Sequence, residues 1–303
     1  MSKSFFDDLG NIYYEYYHDS VDINGKHYFD FSIGTIKGER KINQVIHSHP
    51  RLEISIVKSG TGKYYIGDHI YDIQKGDIFI INNIEPHGIE LTKDESLTNM
   101  ILHFEPRFVW GENNDFDARF LKIFFDRNES FSHKLDVNNN ATKQMQRLFA
   151  EMEEEFEKKD SEYYLMVKVK LLNMLVLLLR HYEYVIDDDH REHIQEIKII
   201  NKVTEYIDER FDAEIKLQEL ADIAYMNPTY FSTFFKKYNG LSPIDYIIRK
   251  RITRAIEFLR ATDKTILDIS GLCGFNNSSN FNKMFKKITG TTPSSFRTNN
   301  KVR

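Results

Sequence analysis

Cysteine is nearly absent from this chain of 303 residues: Cys273 stands alone. No disulfide can close within the chain, and no cysteine-based zinc site can be built. Such scarcity fits a reducing compartment. A long apolar run is missing as well. The longest, L-L-N-M-L-V-L-L-L at 171–179, is too short to span a bilayer and is flanked by charge. The opening segment MSKSFFDDLGNIYYEYY carries acidic and polar residues where a secretory leader needs an apolar core. These absences predict a cytoplasmic protein with no membrane partner. Material for real cores is present: 41% of residues are hydrophobic and 14% aromatic, and the length allows two domains.

The formal net charge of −5 hides an asymmetry. From residue 198 onward there are 18 Lys and Arg against 11 Asp and Glu, while the rest carries 23 against 35. Taken alone, this split fits a chance fluctuation as well as an anionic partner. A motif has to decide.

Residues 25–105 carry strand patterns. Y-F-D-F-S-I-G-T-I (28–36) and L-E-I-S-I-V (52–57) alternate apolar and polar positions. K-S-G-T-G then turns into K-Y-Y-I-G, followed by H-I-Y-D-I, F-I-I-N-N and L-T-N-M-I-L-H-F (97–104). Short strands with Gly and Asp turns at this spacing predict a small barrel or sandwich. From Ala141 the period changes to 3–4 residues, through Met145, Leu148, Phe149, Met152 and Phe156 and again through 163–180. This predicts a helical hairpin whose combined apolar surface exceeds one stripe, packed on the barrel or forming a dimer interface. V-I-D-D-D-H-R-E-H (185–193) is a polar run suited to a linker.

An internal repeat occupies the remainder. F-K-K-Y-N-G-L-S-P begins at Phe235 and F-K-K-I-T-G-T-T-P at Phe285, with F-K-K, Gly and Pro in register at an offset of 50. Each copy reads as helix, tight turn, helix, then a Gly and Ser/Thr-Pro stop. In the first, Leu217, Leu220, Ala221, Ala224, Phe231, Phe234 and Phe235 point inward, which leaves Thr229, Ser232, Thr233 and Lys236 outside. In the second, Ile266, Ile269, Cys273, Phe281 and Phe285 point inward, which leaves Ser278, Ser279, Asn282 and Lys283 outside. Each pair needs a third helix to bury its surface, and 197–207 and 242–259 supply them. Two helix-turn-helix units follow, at about 217–238 and 266–287. Such a unit lays its second helix in the DNA major groove. Ser, Thr, Asn and Lys side chains reach base edges, and Lys236, Lys237, Lys286 and Lys287 suit phosphates. The bland alternatives are lysines at a helix end, where the dipole favours them, and a generic hairpin repeat, which usually needs three copies.

The last hundred residues resemble the DNA-binding domain of the AraC/XylS family of transcription regulators. The resemblance rests on Leu220-Ala221, Pro243, Tyr246-Ile247, Arg251, Ala255, Leu259, Ile266, Ile269, Gly274-Phe275, Phe281, F-K-K at 285–287, Gly290, Pro293 and Arg297. Ser270 departs from the usual Ala. The resemblance places base-reading positions at Thr229, Ser232, Thr233, Ser278, Ser279, Asn282 and Lys283. None is Arg, so bidentate guanine contacts are absent from this set and DNA shape gains weight.

The N-terminal region is similar to the cupin barrel that often precedes this domain. H-x-H-x3-E-x6-G is met by His47, His49, Glu53 and Gly60. A looser second motif, G-D at 76–77 and P-H at 86–87, adds His87 but lacks the following Asn. Alternation puts His47, His49 and Glu53 on one face if the strand is continuous; a break at Pro50 brings Glu53 from the next strand. Three readings stay open. The four residues, with Tyr65, line a pocket for a sugar or other polar effector; or they hold a divalent metal as three nitrogens and one oxygen; or Glu53 pairs with a His to close the barrel mouth. Tyr64, Phe29 and Phe31 are further candidate walls, or plain core.

The expected chain is therefore multidomain: an N-terminal all-β cupin-like barrel (1–140) with a helical hairpin (141–184), a linker (185–193), and a C-terminal all-α tandem helix-turn-helix (194–303). The resemblance implies a non-enzymatic activator, needing no cofactor, whose partners are double-stranded DNA, a small effector, a second copy and RNA polymerase. The competing classes are a metal-dependent cupin enzyme fused to a DNA-binding domain, and a regulator controlled by a protein partner.

Overall fold

Strands fill the first third of the chain, and the central ones, over residues 52–57 and Ile78–Ile81, are buried on both faces. The computed structural model describes residues 3–5, 14–23, 26–109, 118–125, 127, 131–182 and 190–300. They divide into two units, Met1–Ile194 and Gln195–Arg303.

The first unit holds nine strands among the described residues: β1 (Lys3–Phe5), β2 (Tyr14–Ile23), β3 (Lys26–Lys37), β4 (Leu52–Gly60), β5 (Gly62–Ile66), β6 (His69–Ile73), β7 (Ile78–Ile81), β8 (His87–Glu90) and β9 (Ser96–Phe104). They form an antiparallel six-stranded sheet, β1-β2-β3-β9-β4-β7, and a three-stranded sheet, β6-β5-β8. The two are not joined into a closed ring among the described residues. Gly60 permits the tight exit from β4: its φ is +95°, and a Cβ there would lie 1.9 Å from the Ser96 carbonyl oxygen.

Register divides the large sheet's residues between two faces. Phe29, Phe31, Leu52, Ile54, Leu102 and Phe104 share one, with Asp30, Ser32, Glu53, Ser55, Asn99 and His103 on the other. The first face packs on a helical hairpin, α3 (Asn140–Lys158) and α4 (Tyr163–His181), which follows a one-turn α1 (Ile42–Val45) and α2 (Ala118–Phe125). Phe156 of α3 stacks on Phe31 at 4.4 Å and on Phe29 at 6.1 Å. Phe29 and Phe31 are thus hairpin core and not pocket walls. Between the sheets, Val57, Tyr64, Ile66, Phe79, Ile81, Ile89 and Leu97 form an apolar cluster. β1, β2 and α2 lie outside the expected elements; α2 is amphipathic but only eight residues long.

The second unit is helical: α5 (His190–Arg210), which begins before the boundary, then α6 (Leu217–Ile223), α7 (Pro228–Asn239), α8 (Pro243–Ala261), α9 (Ile266–Leu272), α10 (Ser278–Thr289) and α11 (Pro293–Asn300). Of the expected linker, residues 185–189 lie outside the described residues, and His190 already begins α5. The repeat dictates the punctuation. Asn227 and Asn277 cap α7 and α10 through side-chain oxygens, and Gly240 and Gly290 end them at φ +69° and +75°. Leu220, Ala221, Phe231 and Phe235 are fully buried in the first copy, as are Ile269, Cys273, Phe281 and Phe285 in the second. Ser270, at the Ala position, is 1% exposed, and its hydroxyl is buried without a hydrogen-bond partner among the described residues. No helix among the described residues is long and apolar enough to cross a membrane.

Candidate functional site

In the first unit, register sets Asp30 of β3, His103 of β9 and Glu53 of β4 in one row. Directly opposed side chains share a face, so all three point toward the small sheet. His47 and His49 precede β4. Pro50 separates them from it, and Glu53 arrives from the strand proper. A pair of backbone bonds ties His47 to His87 at the start of β8, at 3.0 and 2.8 Å.

Glu53 is the hub. It is 1% exposed. Its Oε2 lies 3.1 Å from His49 Nε2, 3.1 Å from His103 Nε2 and 3.5 Å from His87 Nε2, and its Oε1 accepts from the Tyr64 hydroxyl at 3.1 Å. Burial alone would raise this carboxyl, but bonds from His103, His49 and His87 outweigh it and hold the group well below the usual carboxylate range. Burial, with the Glu53 charge, pushes the Tyr64 phenol well up. Burial lowers His47 and His103, whereas for His87 the Glu53 carboxylate overcomes burial and raises it.

Three histidines share a further feature. His47 Nδ1 faces the Val45 carbonyl at 3.0 Å, His49 Nδ1 that of Arg51 at 3.1 Å, and His87 Nδ1 that of Glu85 at 2.8 Å. One ligand atom from each lies within 4.8 Å of the others, and the same holds for His49, Glu53 and His103. Glu85, which orients His87, is itself clamped by Arg127 and by His133 Nε2 at 2.9 Å. Burial opposes the charge on Glu85, but His133 and Arg127 hold its carboxyl at about 2.

The structure brings together His47, His49, Glu53 and His87. It does not bring Tyr65. Period-2 alternation turns the neighbouring Tyr64 inward, and Tyr65 bonds Glu90 on the opposite face at 2.7 Å. Sequence reasoning missed His103, Asp30 and its ion-pair partner Arg51. His103 is an inward position of an alternating strand, but only the β4–β9 register shows that it meets Glu53. A cavity of about 890 Å³ lies elsewhere, lined by residues including Arg40, Lys63, Asp72, Glu90 and Lys93. No histidine lines it, and Lys63 and Asp72 on its wall pair with each other at 2.9 Å.

In the second unit, Thr229, Thr233 and Lys236 of α7 are exposed, and Ser232 and Lys237 are half-buried. On α10, Ser278, Ser279, Asn282, Lys283, Lys286 and Lys287 are all exposed. Sequence reasoning passed over Tyr225, 87% exposed in the first turn, and Tyr230, 57% exposed on α7.

The family described as the AraC-like ligand binding domain matches residues 39–175, and the helix-turn-helix domain matches 220–299. The chain belongs to the AraC family. It is a DNA-binding transcription regulator with a ligand-binding domain. The HTH-type transcriptional activator RhaS of Enterobacter sp. (strain 638) is 26% identical over 256 residues, covering 83% of this chain and 86% of that protein. The RhaS of Klebsiella pneumoniae (strain 342) is 25% identical over 278 residues, covering 89% and 94%. The solved structure of ToxT from Vibrio cholerae is 13% identical with a TM-score of 0.51, covering 89% of this chain and 98% of that one. That last likeness is one of fold. AraC-family membership accounts for both motifs in one chain: the cupin pattern lies in the ligand-binding match and the repeat in the helix-turn-helix match.

Proposed function

We propose that this protein is a cytoplasmic transcription activator that binds a small polar effector, a sugar, at the Glu53 cluster and acts as a homodimer that recruits RNA polymerase. The observation that carries the effector reading is the buried hydrogen-bonding strip between the sheets. Glu53, Asp30, His87, His103 and Tyr64 offer donors and acceptors close together, which a polyhydroxylated ligand can match. Asn99 Oδ1, four residues along β9 from His103, is buried without a hydrogen-bond partner among the described residues. The names of the RhaS relatives support activation. The effector changes DNA occupancy by binding two states of the protein unequally.

A panel of neutral mono- and disaccharides tests this by thermal shift of the full chain. A panel member should raise the melting of the first unit in the native protein but not in His87→Ala. No shift with any member rejects the sugar.

Dimerisation is assigned to α4. Leu165, Val169, Leu172, Val176 and Leu179 follow one another at alternating steps of 4 and 3, the seam of a coiled coil. Leu165 and Val169 are 48% and 58% exposed. Val169→Glu should convert the full chain to a monomer in analytical ultracentrifugation without lowering the melting of the first unit. A persistent dimer moves the interface off α4.

A divalent metal is the second reading. A metal-bound histidine is usually oriented by a carbonyl on its other ring nitrogen, and His47, His49 and His87 are so held. With Glu53 they make a set that suits Zn, Fe, Mn or Ni. Elemental analysis of full chain purified without chelators decides it: one ion per chain favours the metal, and a trace removes it.

A further inference from the structure

The two recognition helices are copies in sequence but differ in what they present. On α7 the polar groups are largely engaged at home. Ser232 Oγ donates to the Pro228 carbonyl at 2.9 Å, and Thr233 Oγ1 to that of Thr229 at 3.5 Å. Lys237 is half-buried, with its Nζ 3.8 Å from the Glu196 carboxylate of α5. Lys236 is left as the exposed cation of that helix. On α10, Asn282, the counterpart of Ser232, likewise donates to the Ser278 carbonyl at 2.9 Å, and the contrast lies in the lysines. Lys283, Lys286 and Lys287 are exposed, and no ion pair engages them among the described residues.

The first copy has aromatic groups instead. Tyr230 stands 57% exposed in the first turn of α7, its ring stacked on Phe234 at 6.4 Å. The matching position on α10 is Asn280. Tyr225, in the turn before α7, is 87% exposed and has φ +57°. Its counterpart is Gly274, at φ +76°: the Met226 amide reaches back to Ala221 as the Phe275 amide reaches back to Ser270. A left-handed conformation favours glycine and strains a tyrosine. The first copy thus holds a large side chain in a strained backbone and leaves it mostly in solvent, with the Lys202 ammonium 5.7 Å over its ring.

We propose that the two units divide the recognition of DNA. The first reads thymine methyl groups with Tyr230 and Tyr225, and the second anchors the duplex through Lys283, Lys286 and Lys287. The proposal rests on the DNA-binding reading above. The C5-methyl of thymine is the apolar feature of the major-groove edge. Side chains at the start of a recognition helix are the ones that reach bases, and Tyr225 and Tyr230 flank that start. Lysines free of acidic partners release counterions when they meet phosphate, and that sets the salt dependence of binding.

The test uses the full chain and a duplex it selects from a random library, with deoxyuridine replacing thymidine in one half of the site at a time. Tyr230→Ala and Tyr225→Gly should each weaken binding to the thymidine duplex roughly tenfold. On the duplex with deoxyuridine in the half bound by α7, they should bind as the native chain does. Neither should change the slope of log K against log salt. Tyr225→Gly should also raise the melting temperature, since it relieves the left-handed strain, so misfolding cannot mimic the effect. The triple change Lys283→Gln, Lys286→Gln, Lys287→Gln should lower the slope by about 2–3. The pair Lys236→Gln, Lys237→Gln should lower it by about 1 or less. Equal losses on both duplexes, or slopes that fall alike per lysine for the two helices, overturn the division of labour. Failure of the native chain to enrich any duplex overturns the DNA-binding reading beneath it.

Discussion

Replacing Glu53 with alanine should lower the stability of the first unit by about 3–5 kcal/mol, the range for breaking one side of a buried charged cluster. The carboxylate is buried among His49, His103, His87 and the Tyr64 hydroxyl, all of which lose their common partner. Glu53→Gln keeps the shape and one acceptor, so it should cost less and separate packing from charge. Calorimetry of the full chain reads both, because the second unit holds none of these residues and its transition should stay in place. Acid should act on the same hub. Glu53 titrates below its usual range, so its contribution is present above about pH 4.5 and lost as pH falls through its folded value. His47 and His103, both lowered, favour the fold when neutral and weaken it as pH drops below about 6.5. His87, raised, works the other way: its contribution is complete below about pH 6.5 and is lost as pH rises through its folded value. In mild acid His47 and His103 work against the fold while His87 works for it, and below about pH 4.5 the loss of the Glu53 carboxylate should lower the melting of the first unit. A melting temperature that does not fall below about pH 4.5 would show that the Glu53 carboxylate is uncoupled from the fold.

Phe281→Ala should nearly abolish DNA binding. Phe281 is fully buried, between Phe275 at 5.2 Å and Phe285 at 5.7 Å, in the core that α8, α9 and α10 share. Truncating a core phenylalanine costs about 3–5 kcal/mol, out of the roughly 5–15 kcal/mol that holds a domain folded. The loss falls on the helix that carries Lys283, Lys286 and Lys287. Urea unfolding of the second unit should give the energy, and binding to the selected duplex should show the functional loss. Binding unchanged in urea at which the variant's second unit is unfolded would mean that α10 does not touch DNA.

The second unit was legible because its signals are local. Caps, Gly stops and Ser/Thr-Pro entries lie within a few residues of the helices they bound, and the repeat states each twice. The extra residue between α9 and α10, which makes Gly274 the counterpart of Tyr225, was hidden by matching only F-K-K, Gly and Pro. The first unit was legible as strands but less so as a site. His47, His49, Glu53 and His87 sit in short motifs, but His103 reaches Glu53 only through the β4–β9 register, a relation between residues 50 apart in sequence. Adjacent residues of a strand face opposite ways, so of the candidates Tyr64 and Tyr65 only one can meet Glu53, and the structure shows it to be Tyr64. The aromatic pair Phe29 and Phe31 reads equally as wall or core until Phe156 is seen against it.

The most direct test of the account is one titration. The affinity of the full chain for its selected duplex is measured with and without a saccharide that raises the melting of the first unit, in the native protein and in His87→Ala. The account predicts a several-fold change in affinity for the native chain and none for the variant, with both binding DNA. An affinity that responds equally in the two would contradict it, since the Glu53 cluster would then not be where the effector is read.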